Sequence, residues 1–313
     1  MSHRNKRSLH QQAYDRLQSM CGYGRSKKQD KILGISNKYI YSFSSMKSYQ
    51  KHINYFLTWC KSNPVITEQL GHRARTLEEV EPYIEPYIRA REEQGLSAYT
   101  VKLELSALAK LYNKTFNIIT IGTRRQDITR SRLDSAGDKH FSEEKNRDMI
   151  DCCRCVGFRR SELEKAKAED LIQRNGVYYM KIVGKGGRYR EAMLCGTAEE
   201  IQRAIAYIHT LNGHNHVHSN ADIHSYRADY ATRIYNTYAR DITTIQGTKI
   251  NYTELTGKTD RQGNTIYKNG VYYCRGDQKG ISLDRTAMII ASQNLGHNRE
   301  SVVGEHYIRI VSI

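Results

Sequence analysis

Apolar side chains recur at helical spacing through the first half of the chain. Between residues 44 and 60 they recur at each helical turn, at Met46, Tyr49, Ile53, the pair Phe56 and Leu57, and Cys60. This spacing predicts an amphipathic helix. Similar patterns predict helices over residues 77–94, with Thr76 as cap, and over 97–113. Together they indicate a compact helical domain of residues 41–120.

The second half alternates between helical and strand patterns. A capped helix is predicted to begin near Phe141, and two strands over 176–183 and 188–194 flank a glycine-rich turn. Residues 121–138 lack periodicity and contain four arginines, which is typical of a linker. The chain is therefore predicted to be mainly α with a small antiparallel β-sheet (α+β), and residues 139–313 form its second domain.

The charge of the chain indicates a polyanionic partner. Lys and Arg number 49 against 33 Asp and Glu, a formal net charge of +16. Nucleic acid is the commonest partner of so basic a protein, although charge alone also fits a merely soluble surface. Residues 1–40 are polar and basic, and we expect a flexible or loosely helical arm that follows the phosphate backbone.

Several classes of protein are disfavoured. The chain contains no run of about 20 apolar residues that could cross a membrane, and no apolar core of a secretory signal follows the first charges. The seven cysteines are odd in number and show no regular framework of pairs, so neither a disulfide framework nor a thiolate metal site is indicated. These features favour a reducing cytoplasm.

Two local motifs mimic ligand sites. Histidines crowd residues 209–218, but no carboxylate or cysteine stands at ligand spacing among them, which favours a solvated loop over a zinc site. Residues 256–259, Thr-Gly-Lys-Thr, resemble the end of a phosphate-binding loop, but Tyr252 replaces its first glycine. We expect no metal and no other cofactor.

Five phrases of the second half carry the candidate chemistry. In order they are Gly157-Phe-Arg-Arg-Ser-Glu-Leu, Gly184-Lys-Gly, His224-Ser-Tyr-Arg, Leu295-Gly-His and Tyr307. Single phrases are weak evidence, since His-x-x-Arg occurs three times in the chain. The ordered set, however, resembles the tyrosine recombinases, a family of phage integrases, Xer-type resolvases and conjugative-transposon integrases. The resemblance is close over residues 140–307 and looser over the helical domain.

This resemblance implies a catalytic set of six residues: Arg159, Lys185, His224, Arg227, His297 and Tyr307. Tyr307 would attack a DNA phosphate and form a covalent 3′-phosphotyrosine, which conserves the bond energy and needs no ATP. Each of the two arginines would donate two hydrogen bonds to the phosphate oxygens. The histidines would donate hydrogen bonds to the same oxygens or take the phenol proton. Lys185 would protonate the leaving 5′ oxygen.

The chain departs from the family pattern at several points. Ala228 stands where a second histidine usually follows His-x-x-Arg, and Tyr307 lies ten positions after His297 instead of the commoner nine. Residues 241–280 look like an insertion, with a hairpin predicted over 264–274. Within the first phrase, Glu162 either holds an active-site cation or forms an ordinary surface pair, and Arg160 is predicted to be a surface or phosphate-contacting residue.

The resemblance further implies a C-shaped clamp of two domains, 41–120 and 139–313, around double-stranded DNA with specific recombination sites. Four subunits would assemble on DNA as a tetramer, with accessory DNA-bending proteins as further partners, to integrate or excise a bacterial or phage mobile element. Phosphate contacts are predicted from six basic residues: Lys47, Lys51, Lys102, Lys110, Arg124 and Arg125.

Other functions use the same residues differently. An enzyme resembling type IB topoisomerases would relax DNA without partner sites, and a non-catalytic DNA-binding protein could keep the same fold. A phosphate-ester hydrolase would need a metal cluster, which the sequence does not indicate.

Overall fold

The computed structural model describes residues 7–118, 120, 141–184, 187–275, 279–297 and 299–308. The chain divides into two compact units, Met1–Thr129 and Arg130–Ile313. Within the described ranges, no helix combines the length and the apolar character needed to cross a membrane.

The described part of the first unit is helical. Its helices are α1 Leu9–Ser19, α2 Lys27–Ile32, α3 Phe43–Ser62, α4 Pro64–Leu70, α5 Leu77–Val80, α6 Ile84–Glu93 and α7 Ala98–Tyr112. The helix predicted over 77–94 is divided into α5 and α6 by a 3₁₀ turn at Glu81–Tyr83. Pro82 lies in that turn, because it can neither donate a backbone hydrogen bond nor continue α5.

The described residues of the basic segment before residue 40, from residue 7 onwards, pack into the first unit. Leu9, Ala13 and Leu17 form the apolar stripe of α1 and are buried in one core with Ile40. The Ile40 amide donates to the Met20 carbonyl at 2.8 Å, which fixes the end of the segment. The described residues are therefore helical, as one alternative of the prediction had it, but they form part of the core and not a separate arm. The overall polarity of the segment hides a three-residue stripe at helical spacing.

The second unit combines helices with short strands. Its helices are α8 Arg147–Val156, α9 Arg160–Leu163, α10 Ala198–Ile208, α11 Ile223–Tyr238, α12 Ile242–Ile245, α13 Tyr252–Thr256, α14 Arg285–Asn294 and α15 Glu300–His306. Its strands are β1 Leu171–Arg174, β2 Val177–Val183, β3 Tyr189–Met193, β4 Lys249–Asn251, β5 Tyr267–Asn269, β6 Val271–Tyr273 and β7 Ser282–Asp284. The mainly α fold with small antiparallel sheets is confirmed.

The strands pair into three separate antiparallel sheets. The first has the order β1-β2-β3, with Ile182 opposite Arg190 near the turn that joins β2 to β3. The other two are the pairs β4–β5 and β6–β7. The hairpin predicted over 264–274 is wrong, because β5 and β6 diverge at Gly270, whose amide donates to the Thr248 carbonyl at 2.9 Å.

A layer of helices carries the chemistry of the second unit. Helix α8 packs on α10 and α11, α11 packs on α14, and α14 packs on α15. The ends of α8, α14 and α15, the start of α9 and the first turn of α11 thereby bring four of the sequence phrases into neighbouring positions.

Candidate active site

Gly157 ends α8 and shapes the turn that leads to Arg159. Its φ of +68° is in the left-handed region, and a Cβ placed on it would lie 2.2 Å from the Tyr230 ring. Only glycine fits there, so the chain turns sharply and presents the Gly157 carbonyl to α11. That carbonyl accepts a hydrogen bond from Nη1 of Arg227.

Arg159 stands at the start of α9 and is paired with Glu162. Its backbone amide donates to Glu162 Oε2 at 2.8 Å, and its Nη1 donates to Oε1 at 2.5 Å. The Arg159 side chain keeps 30% of its surface exposed, whereas the Glu162 side chain keeps 3%. Of the two readings of Glu162, the structure therefore favours the one in which it holds the cation in place.

A third arginine, which no motif indicates, completes this cluster. Arg190 on β3 is buried and donates from Nη1 and Nη2 to the two oxygens of Glu162, at 3.0 and 2.8 Å. Burial by itself acts to raise the pKa of Glu162, but the hydrogen bonds and charge of Arg190, with Arg159 and Arg227, lower it to about 2. Glu162 is therefore an anion at neutral pH.

Arg227 lies at the centre of the site, with 1% of its surface exposed. Its Nη2 donates to the Leu295 carbonyl and lies 3.5 Å from Nε2 of His297. Burial, together with the charges of Arg159 and Arg190, lowers the pKa of Arg227 to about 10, so it stays a cation at pH 7. The nearest carboxylate oxygen, on Glu162, is 3.8 Å away.

The Tyr307 ring contacts three of the predicted residues. Its centroid lies 5.2 Å from that of His224, 5.2 Å from that of His297 and 5.6 Å from Cζ of Arg227. The tyrosine is buried at the C-terminal end of α15, where its amide donates to the Val303 carbonyl at 3.0 Å. The structure therefore brings Arg159, His224, Arg227, His297 and Tyr307 into one cluster.

Burial and the surrounding cations affect the protonation of His297. Burial, then Arg227, Arg159 and Arg190, lower its pKa to about 4, which makes the ring neutral at pH 7. A neutral imidazole next to a phenol can accept the proton that the phenol loses.

We expect an NMR titration of the free protein to show this directly. The His297 ring should titrate near pH 4 instead of 6.5, with its signal assigned by its loss in His297→Gln. Because the unfolded chain binds the proton first, the free energy of unfolding should fall as the pH drops from about 6.5 towards 4. A midpoint at or above 6.5 would contradict the neutral ring.

Lys185, Arg124 and Arg125 lie outside the described residues. Gly184, the residue before Lys185, is described. A Cβ on Gly184 would lie 3.0 Å from Glu162 Oε1 and 3.5 Å from Nη1 of Arg159. The glycine that precedes Lys185 is thus in contact with the arginine cluster, next to a cleft of about 780 Å³ that Arg159, Lys165 and Lys181 line.

The lysines predicted to contact phosphate differ in their surroundings. Lys47, Lys51 and Lys102 are exposed on α3 and α7. Lys110 instead donates from Nζ to the carbonyls of Asn37 and Tyr39, the latter at 2.9 Å. Its ammonium holds a loop of the first unit against α7, which differs from the predicted phosphate contact.

Arg160 has a structural role in addition to its predicted place at the surface. Its guanidinium donates to four backbone carbonyls in the loop before α11, those of Val217, His218, Ser219 and Ala221, at 2.7 to 3.1 Å. This loop contains part of the histidine-rich segment. Among the described residues, no group of three or more His, Cys, Asp or Glu side chains is arranged to hold a metal ion.

Comparisons with known proteins find similar solved structures. No protein-family model matches the chain, and no curated protein matches it. The XerH site-specific recombinase in a post-cleavage complex with its palindromic difH substrate aligns over 97% of this chain and 91% of its own, at 15% identity and a TM-score of 0.44.

Two further structures give weaker similarity. The Tn1549 transposon integrase with circular intermediate DNA aligns over 96% of each chain, at 13% identity and a TM-score of 0.43. The XerA recombinase aligns over 97% of this chain and 95% of its own, at 14% identity and a TM-score of 0.27. The chain is similar to these recombinase and integrase structures at low sequence identity.

Proposed function

We propose that this chain is a site-specific DNA recombinase that cleaves and rejoins DNA strands through a covalent 3′-phosphotyrosine at Tyr307. The observation that carries the proposal is the position of the Tyr307 ring, in contact with two histidines and with the buried cation Arg227. Low similarity to solved structures does not decide the activity, so the proposal rests on these side chains.

The excess positive charge of the site supports a phosphate ligand. Within the described residues, Glu162 is the one carboxylate within 4 Å of the guanidiniums of Arg159, Arg190 and Arg227. Three cations and one anion leave two positive charges uncompensated. A phosphodiester that gains negative charge as it is attacked suits such a site, because fixed guanidiniums need no reorganisation to stabilise it.

The proposed reaction balances without an added cofactor. The phenol oxygen of Tyr307 forms a bond to phosphorus, the bond from phosphorus to the 5′ oxygen breaks, and the phenol proton passes to neutral His297. Lys185 supplies a proton to the leaving 5′ oxygen, and His224 donates to a non-bridging oxygen. Rejoining reverses these steps with the 5′ hydroxyl of a second strand as the nucleophile.

We propose the wider assembly on the basis of charge and motif order. Both halves of the chain are basic, which suits a duplex held by residues 41–120 and 139–313 together. The partner would be double-stranded DNA with specific sites, bound by a tetramer, and the long segment between Arg227 and His297 favours an integrase of a mobile element.

A suicide substrate tests the proposed activity. A pool of duplexes selected for binding supplies candidate sites. A nick on the 3′ side of each cleavage position lets the short fragment with the free 5′ hydroxyl diffuse away, which traps the covalent intermediate. We expect a protein–DNA adduct in EDTA without ATP. Release of free DNA ends without an adduct would contradict the proposal, and relaxation of supercoiled plasmids that lack these sites would favour a topoisomerase.

Substitution of Arg159, the partly exposed arginine of the site, gives a second prediction. Arg159→Lys keeps the positive charge but loses the planar fork, so the cleavage rate should fall about 10²- to 10³-fold. Stability should change little, because Arg190 still pairs with Glu162. Single-turnover cleavage and thermal unfolding measure the two effects, with Arg174→Lys in an exposed ion pair as the control. Cleavage at the wild-type rate would contradict the role of Arg159.

A further inference from the structure

The helix that presents Tyr307 is too short to be stable by itself. Helix α15 contains seven residues, well below the roughly 12–15 that an isolated helix needs in water. Its position, and with it the position of the phenol, must therefore come from packing against the rest of the second unit.

Glu300, the first residue of α15, is bound by three side chains. Lys268 on β5 donates to its Oε1 at 2.8 Å, Arg285 donates to the same oxygen at 3.2 Å, and the Tyr252 hydroxyl donates to Oε2 at 3.0 Å. The ammonium of Lys268 also lies 3.5 Å from the centroid of the Tyr252 ring. Glu300 is buried, so these groups replace water around its carboxylate.

Two of the three partners belong to the predicted insertion, residues 241–280. The third, Arg285, starts α14 and is itself attached to the insertion, since its Nε donates to the Asn269 carbonyl at 2.6 Å and its amide donates to the Gly270 carbonyl at 2.8 Å. The insertion therefore reaches α15 through a connected set of hydrogen bonds.

A second contact lies one turn further along α15. A Cβ on Gly304 would lie 2.8 Å from Met288 of α14 and 3.8 Å from the ring of Tyr272 on β6. The absence of a side chain thus lets α15 pack closely on α14 and on the insertion. A small cavity of about 100 Å³ is lined by Tyr252 and Glu300 of this cluster and by His297 of the site.

We infer that the insertion positions the nucleophile: Glu300, held by Tyr252, Lys268 and Arg285, fixes α15 so that Tyr307 faces its histidines and Arg227. The inference rests on the proposed function. Buried ion pairs contribute little net stability, because desolvation offsets their attraction, but they are sensitive to geometry. Glu300 therefore acts as a positioning residue, and the segment between Arg227 and His297 as a part of the catalytic unit.

Matched substitutions in the full chain test this role. Glu300→Gln and Lys268→Met each break the cluster, and Tyr252→Phe removes one hydrogen bond without changing the charge. Glu199→Gln is the control, because Glu199 pairs with Arg203 at 2.6 Å on the exposed side of α10. Lys268→Arg keeps the cation, so it should retain much of the wild-type behaviour that Lys268→Met loses.

Two measurements are needed, and one is independent of catalysis. Amide hydrogen exchange in residues 301–306 should become about tenfold faster in Glu300→Gln and Lys268→Met, and about twofold faster in Tyr252→Phe, with no change in Glu199→Gln. Single-turnover cleavage of the suicide DNA should slow about tenfold in the first two variants, while the Kd for DNA stays within about twofold.

The outcomes separate the two proposals. Unchanged exchange in α15 overturns the inference, and so does faster exchange with cleavage at the wild-type rate. If the wild-type protein forms no adduct, the proposed function fails, and the exchange result alone then decides whether the cluster holds α15.

Discussion

Tyr307→Phe should abolish covalent adduct formation and leave DNA binding within about twofold of wild type. Phenylalanine keeps the ring that packs on His224, His297 and Arg227, and removes only the oxygen that would attack phosphorus. No other group can replace a covalent nucleophile without moving, so the expected loss is complete. Adduct formation on the suicide DNA and fluorescence anisotropy measure the two quantities.

Tyr226→Phe provides the matched control. Tyr226 is buried on α11, beside Arg227 in sequence, and faces the guanidinium of Arg154. Loss of its hydroxyl should leave adduct formation near the wild-type level. Adducts that persist in Tyr307→Phe would assign the nucleophile to another residue.

Gly157→Ala should have the largest effect on stability. The left-handed φ of +68° costs an L-residue about 1–2 kcal/mol, and the new Cβ, 2.2 Å from the Tyr230 ring, adds about 1–3 kcal/mol through displacement of packed atoms. The second unit should therefore lose about 2–5 kcal/mol. Cleavage should fall as well, because the carbonyl that orients Arg227 must move.

A second glycine separates the cost of the left-handed backbone from the cost of the contact with Tyr230. Gly176, between β1 and β2, has a φ of +78° with no atom within 4 Å of its Cβ position. Gly176→Ala should therefore cost only the backbone term, about 1–2 kcal/mol, with normal cleavage. Chemical denaturation measures both variants. Equal losses in both would show that contact with Tyr230 contributes nothing.

The sequence predicts most of the candidate site because chemistry restricts its residue types. Arg159, His224, Arg227, His297 and Tyr307 are far apart in sequence, and it is the resemblance of their order and local phrases to the tyrosine recombinases that groups them. The helical class of the first unit was also predictable, since apolar spacing in α3 and α7 is regular.

The remaining features depend on contacts between distant residues. Arg190 belongs to an ordinary strand pattern, and only the pairing of β2 with β3 brings it to Glu162. The structural role of Arg160 could not be predicted by pattern, because its partners are backbone carbonyls of a later loop. The burial of the apolar stripe of α1 and the pairing of β5 and β6 with different strands likewise depend on packing, which local propensity does not encode.

The most direct test of the central claim is to locate the DNA attachment. Trapped adducts, digested with nuclease and trypsin, should yield the peptide Glu300–Arg309 carrying a residual nucleotide, and fragmentation in a mass spectrometer should place that nucleotide on Tyr307 through its 3′ phosphate. A nucleotide on any other residue, or one linked through its 5′ phosphate, would contradict the account.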